Sequence, residues 1–198
     1  MTGLVCHGRL SGDRSPVDNA LVIRQRLTVL SLLLFLAPAA GCGPVDKALG
    51  RLTLTLSSES MEPTIKKGAR VSARRTDDDY VPRRGDIVVY RAPDDWSQLT
   101  PGNTYISRAI GVPGDRVACC DDPKARLQVN GAPLDEPFVT RGPASDRWFD
   151  VKVPQDRIWI MSDNRRVSLD SRYQMDKAGG GTIGRKDVIA VVEDWEQP

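Results

Sequence analysis

The sequence predicts a mainly β fold of short antiparallel strands, arranged in two or more sheets around one core and preceded by an apolar helix or signal segment. Three observations carry this prediction. Leu52, Leu54 and Leu56 alternate with Thr53 and Thr55, the period of two that turns alternate side chains toward one buried face. Turn-forming clusters recur, as Lys67-Gly68, Arg84-Gly85-Asp86, Pro113-Gly114-Asp115 and Asn130-Gly131. No long segment carries the 3.6-residue periodicity of an amphipathic helix.

The N-terminal elements come first. Residues 1–26 are a polar tail of mixed charge that ends in Arg24 and Arg26, and an apolar run over 27–36 follows, containing Leu32, Leu33, Leu34 and Phe35. Basic residues before an apolar stretch are the order of a secretory signal or membrane anchor. The stretch continues through Ala37-Pro38-Ala39-Ala40-Gly41 to Cys42, about sixteen residues in all, against the roughly twenty that span a bilayer as a helix. Ala39-Ala40-Gly41-Cys42 offers a second reading, because it resembles the lipobox of bacterial lipoproteins, although Leu is more usual where Ala39 stands. In that reading Cys42 is lipidated and becomes the new N-terminus. Val22-Ile23-Arg24-Gln25-Arg26 has the form of a short basic start, so translation is expected to begin at or near Val22, with residues 1–21 an extension. Both readings place the body of the protein on the outer side of the cytoplasmic membrane. Residues 43–50 are a linker, and residues 51–198 form the folded domain.

Within that domain the alternating leucines run directly toward Ser58 and Ser60, which places Ser60 at a strand end. Further strands are predicted over 70–75, 86–91 around Ile87-Val88-Val89-Tyr90, 105–112, 116–119, 126–129, 158–161 and 188–192. Asn130-Gly131 is the strongest hairpin signal, since both positions tolerate positive φ. Looser stretches are 77–79, 92–102, 142–146 and 178–181.

Composition narrows the function classes. With 198 residues, 40% hydrophobic and 27% charged, and a formal net charge of +2, the chain suits one domain plus a small appendage. Basic and acidic residues are interspersed, with no Lys/Arg run able to form a phosphate-binding patch, which sets nucleic acid aside. The cysteines are Cys6, Cys42, Cys119 and Cys120, and only the last two are adjacent, as a vicinal pair that closes at best into a strained bond. They and the single histidine, His7, give no ligand set of suitable spacing, so neither a metal nor another cofactor is implied.

Chemistry enters with three segments. Ser58-Glu59-Ser60-Met61-Glu62-Pro63-Thr64 alone reads as a turn. It is followed by Tyr105-Ile106-Ser107-Arg108-Ala109-Ile110-Gly111-Val112-Pro113-Gly114-Asp115 and then by Met161-Ser162-Asp163-Asn164-Arg165-Arg166-Val167-Ser168-Leu169-Asp170-Ser171-Arg172. In order and spacing these resemble the characteristic segments of bacterial type I signal peptidases, over essentially everything after residue 50. The stretch from Arg126 to Pro137 is similar to the hairpin that follows the family's middle segment.

The resemblance implies a serine–lysine dyad, in which a lysine kept neutral by burial takes the proton of a serine nucleophile. It makes Ser60 the nucleophile. Ser58, through its hydroxyl, and the Ser60 backbone N–H become the oxyanion donors. Ser168 matches the hydroxyl that orients the lysine amine, Asp170 and Arg172 a charged pair bracing the site, and Asp163, Asn164 and Arg165 the turn leading into it. The alternative for Asp170 and Arg172 is a surface ion pair worth about 0–1 kcal/mol.

The chain departs from the family at the dyad itself. Ser107 stands where the family has its lysine, directly before Arg108. A serine hydroxyl is a negligible base near neutral pH and an arginine stays protonated, so neither accepts the Ser60 proton. The related peptidases of the endoplasmic reticulum use histidine, but His7 lies in the N-terminal tail. Ser162 replaces a usual glycine in the same pocket. Lys66 and Lys67 are near Ser60 in sequence but beside Gly68, in a predicted exposed turn where lysines remain charged.

As partners, the resemblance implies membrane lipid and exported preproteins with Ala-x-Ala-like sites. Leu52, Leu54, Leu56 and Met61 are candidates for the membrane-facing surface, with ordinary core as the alternative. Three hypotheses result. One is a membrane-bound serine endopeptidase with an unidentified base, and another a pseudoprotease that binds exported chains or a partner peptidase without cutting. The third, a relative of self-cleaving repressors, conflicts with the apolar N-terminus and the lack of DNA-binding helices.

Overall fold

A computed structural model describes residues 50–96, 98–121 and 125–198. The tail, the apolar segment 27–42 with Cys42, and the linker apart from Gly50 lie outside the described residues.

The strands are β1 (Arg51–Thr55), β2 (Arg70–Arg75), β3 (Ile87–Arg91), β4 (Thr104–Gly111), β5 (Arg116–Asp121), β6 (Arg126–Val129), β7 (Ala132–Pro133), β8 (Phe149–Lys152), β9 (Arg157–Met161), β10 (Ile183–Gly184) and β11 (Val188–Glu196). They form a 7-stranded sheet in the order β1-β2-β11-β3-β4-β9-β10 and a 4-stranded sheet in the order β7-β6-β5-β8. All strand pairings are antiparallel. Among the described residues, no helix is long and apolar enough to cross a membrane.

Position within the sheets explains the burial of each strand. β1 lies at an edge and alternates between exposed threonines and half-buried leucines, whereas β3, between β11 and β4, buries both faces. Ile87 and Val89 join Leu56, Met61, Ile65, Val71 and Ile106 in one cluster; Val88 and Tyr90 join Trp96, Ile158, Ile160 and Ile183 in another. A third cluster, around Leu127, Phe149, Val153 and Trp159, lies against the smaller sheet. The core is therefore divided by the larger sheet.

The chain passes between the sheets at the turn joining β4 to β5. Gly111 is required there by space, because a Cβ would sit 2.5 Å from Val117 Cγ2 and 2.9 Å from Val153 Cγ2. The next hairpin closes at Asn130 and Gly131, with φ values of 55° and 81°, as a two-residue turn of the primed type demands.

Three strands go beyond the sequence expectation: β7, β8 and β10. Two of them are two residues long, and β8 spans four residues. The stretch 92–102, expected to be loose, contains Trp96, which is fully buried with its ring edge-on to Tyr90. Cys119 and Cys120 are joined by a disulfide. Of the proposed membrane-facing side chains, Leu56 and Met61 are buried in the core, and Leu52 and Leu54 pack partly against it. The amphipathic pattern of β1 is satisfied from within the protein.

Candidate active site

Ser60 occupies a turn between β1 and β2. Its neck is closed by the Leu56 N–H donating to the Ala69 carbonyl at 2.9 Å and the Gly68 N–H donating to the Leu56 carbonyl at 2.7 Å. Met61 and Ile65 anchor it, both fully buried and one helical turn apart, with the Ile65 N–H donating to the Met61 carbonyl at 2.9 Å. Expected at a strand end, Ser60 instead lies beyond it, because Leu56 leaves the sheet to enter the core. The Ser58 and Ser60 hydroxyls are 2.9 Å apart.

The segment after β9 wraps this turn from the other side. Asn164 donates its N–H to the Ser60 carbonyl at 2.8 Å and its side-chain Nδ2 to the Glu59 carbonyl at 3.1 Å. Asp163, its side chain fully buried, accepts from Arg108 Nε at 2.8 Å, Arg108 Nη2 at 2.6 Å and Thr64 Oγ1 at 2.5 Å. One carboxylate thus joins the Ser60 turn to β4. The Arg108 guanidinium also stacks 4.1 Å from the centre of the Phe138 ring.

Arg165 donates to Glu136 Oε1 at 2.5 Å, to the Ala144 carbonyl at 2.6 Å and to the Ser162 carbonyl at 3.0 Å. Arg172 and Asp170 form a two-bonded pair at 2.8 and 3.0 Å, with side chains 0% and 1% exposed. Burial opposes the Arg172 charge, but the bonds to Asp170 prevail and hold its pKa above the ordinary arginine value. Asp170 also accepts the Ser162 N–H at 3.1 Å, so the pair braces the strand end behind the serines. This is no surface ion pair. Ser168 donates to the Asn164 carbonyl at 2.6 Å, and so shapes the loop.

Ser107 lies on β4 opposite Val88, and the pairing of Arg108 with Met161 brings it beside Ser162. Their hydroxyls meet at 3.0 Å. A cavity of about 420 Å³ opens between the edge strand and these elements, lined by Ser58, Ser60 and Ser162, by Leu54, Leu56, Ile106 and Leu169, and by Tyr90 and Tyr105. No lysine, histidine or carboxylate lines it among the described residues. Lys67 is exposed, 3.9 Å from Glu59, and Lys66 lines a separate hollow with Glu62 and Asp163.

The profile described as "Signal peptidase, peptidase S26" matches residues 34–195. The chain belongs to this family. It is 33% identical over 145 residues to a signal peptidase I of Leptolyngbya laminosa, covering 71% of this chain and 66% of the relative. It is 37% identical over 150 residues to a Synechocystis protein named "Probable signal peptidase I-2", covering 72% and 62%. The chain thus matches just under two thirds of the length of these relatives. A crystal structure of a signal peptidase I from Enterococcus faecalis aligns with 58% of this chain and 98% of its own, at 25% identity and a TM-score of 0.45.

Around Ser60 the structure gathers Ser58, Asp163, Asn164, Arg165, Ser168, Asp170 and Arg172, the residues that the resemblance singles out, whereas Ser107 meets Ser162 and is not among the residues lining the cavity. Sequence reasoning gave no role to Thr64, Glu136 or Tyr90, and none beyond its charge to Arg108. Thr64 and Arg108 stood inside the recognised segments, and their hydrogen-bonding side chains were the available signal. Glu136 meets Arg165 only through the fold.

Proposed function

We propose that this protein receives exported preproteins, in extended form, at the junction behind their signal peptides, as a signal peptidase I-like serine endopeptidase whose hydrolytic step runs without a lysine base. The observation that carries the reading is the Ser58–Ser60 hydroxyl pair, 2.9 Å apart on a cavity with apolar walls. Ser60 Oγ attacks the scissile carbonyl, and the Ser60 N–H and Ser58 hydroxyl receive the developing oxyanion. Walls of Leu54, Leu56 and Ile106 suit the small apolar side chains of an Ala-x-Ala-like site. Val167 and Leu169, exposed on the cavity rim, are the surface proposed to meet membrane lipid on the outer side.

The missing base sets the rate. General-base assistance commonly contributes about 10²–10⁴, so turnover is slow, with water taking the Ser60 proton. The buried Ser107–Ser162 pair favours a second reading, a pseudoprotease that holds exported chains, or a partner peptidase, without cutting.

The test compares the full chain in lipid vesicles with its Ser60→Ala and Ser107→Lys variants, following both binding and cleavage of a preprotein. Slow cleavage that Ser60→Ala abolishes is the expected result. Binding without cleavage, with activity gained in Ser107→Lys, would establish the pseudoprotease instead. A chain that neither binds nor cuts preprotein would defeat both.

A further inference from the structure

The turn that carries Ser60 is also held by the residues that follow Trp195. The β2–β11 register ends with Glu196 opposite Arg70, the first residue of β2, so the chain leaves β11 beside the exit of that turn. Trp195 packs there against the cluster that contains Leu56, Met61 and Ile65. Gln197 then spans part of the turn with its side-chain amide. Its Nε2 donates to the Thr64 carbonyl at 3.0 Å, and its Oε1 accepts the Lys66 N–H at 3.1 Å. Pro198 follows against Gly68, its Cβ 3.4 Å from where a Cβ on that glycine would stand.

The two amide bonds flank Ile65, and Ile65 leads directly to the serine. Its side chain is fully buried, its N–H donates to the Met61 carbonyl at 2.9 Å, and Met61 follows Ser60 in the chain. A separate segment holds the same turn, with Asp163 accepting the Thr64 hydroxyl and Asn164 donating to the Glu59 and Ser60 carbonyls. Thr64 is where the two grips meet, its hydroxyl on Asp163 and its carbonyl on Gln197. Asp163 and Asn164 belong to a recognised segment. Gln197 lies beyond residue 195, where the family match ends, so its grip is not part of the matched pattern.

Exposure decides what kind of role these bonds have. Gln197 and Lys66 are exposed, so water replaces either bond at little net cost to folding. Water satisfies the Thr64 carbonyl and the Lys66 N–H without fixing where they stand. Attack on a carbonyl is sensitive to that difference, since a misplacement of about 1 Å costs on the order of 10²-fold in rate.

We propose that Gln197 is a positioning residue for Ser60, its amide fixing the backbone on either side of Ile65 so that the Ser60 hydroxyl keeps its place against a bound peptide. This rests on the reading of Ser60 as the nucleophile. It adds a residue outside the three segments that carry the family resemblance.

Steady-state cleavage of a preprotein by the full chain in lipid vesicles, with thermal unfolding of the same samples, tests it in Gln197→Met and Gln197→Glu. Methionine keeps the length of the side chain without the amide, and should lower kcat about tenfold while KM and Tm stay at their wild-type values. The glutamate carboxylate accepts from Lys66 but opposes the Thr64 carbonyl, so Gln197→Glu should be comparably slow near pH 7. Protonation around pH 4 gives that carboxyl a donor again. The kcat of Gln197→Glu relative to wild type should therefore recover as the pH falls toward about 4, while the ratio for Gln197→Met stays flat. An unchanged kcat in Gln197→Met, a loss of kcat matched by a fall in Tm, or a Gln197→Glu ratio that does not recover overturns this inference and leaves the endopeptidase reading standing. A wild-type chain without turnover overturns that reading and this inference with it.

Discussion

The side chains of Ser107 and Ser162, 55 residues apart in the chain, meet hydroxyl to hydroxyl at 3.0 Å in the interior. One hydroxyl donates to the other, and neither supplies a base. The two residues that the sequence reading sets against the signal peptidase pattern therefore form one structural unit, because the β4–β9 register sets the two positions side by side. Restoring a lysine at 107 alone would leave its amine crowded by the Ser162 side chain. The double variant Ser107→Lys/Ser162→Gly is expected to cleave a preprotein about 10²–10⁴ times faster than the wild type, and faster than Ser107→Lys. Its rate should rise with pH as the lysine loses its proton. Equal rates for the single and double variants would show that Ser162 is not an obstacle.

Behind that pair, Asp170 does more than neutralise Arg172. It accepts the Ser162 N–H and the Arg172 N–H while sharing both oxygens with the guanidinium. Asp170→Ala would leave Arg172 buried, with Asp146 3.3 Å away as the remaining carboxylate. Removing one member of a buried pair costs about 3–5 kcal/mol, against 0–1 for an exposed pair. Urea denaturation of Asp170→Ala should show the larger loss. A change below about 1 kcal/mol would mean that the bracing is negligible.

Legibility in the sequence followed the range over which each signal acts. β2, β3, β6 and the Asn130-Gly131 hairpin were readable because alternation and turn chemistry lie within a few neighbouring residues. The three segments that meet around Ser60 were readable as a family resemblance, and the family match spans them. Thr64 reaching Asp163, Arg165 reaching Glu136, and Trp96 closing over Tyr90 depend on chain segments brought together by the sheets, and no local pattern announces them. Of the two readings offered for Leu56 and Met61, membrane-facing or core, the structure gives core, a choice no local pattern could make because an apolar residue beside Ser60 looks alike whichever covers it.

Gly111 illustrates a motif residue whose role is spatial. An alanine Cβ would lie 2.5 Å from Val117 Cγ2, 2.9 Å from Val153 Cγ2 and 3.2 Å from Trp159 Cβ, where β4 gives way to the second sheet. Overpacking of this kind costs about 1–3 kcal/mol. In a chain of this size that corresponds to roughly 2–4 °C of Tm for each kcal/mol. Gly111→Ala should therefore melt several degrees lower in calorimetry, and an unchanged Tm would show that the side chains around this junction have room to retreat.

Asp115 links the same junction to pH. It accepts the Val112 N–H at 3.0 Å, Asn130 Nδ2 at 2.8 Å and Arg84 Nη2 at 2.9 Å. Burial pushes its pKa upward, but these three donors outweigh it and hold the carboxyl below the ordinary aspartate value. A carboxylate depressed in the folded state stabilises the fold fully above its unfolded value, near pH 4, and that contribution disappears as the pH falls through the lower folded value. Urea midpoints measured from pH 6 to pH 2 should place Asp115→Asn below the wild type at pH 6, with the gap narrowing below about pH 4 as the wild-type carboxylate takes up its proton. A gap that stays constant over this range would mean that the Asp115 charge contributes nothing, leaving its hydrogen-bond geometry as the whole of its role.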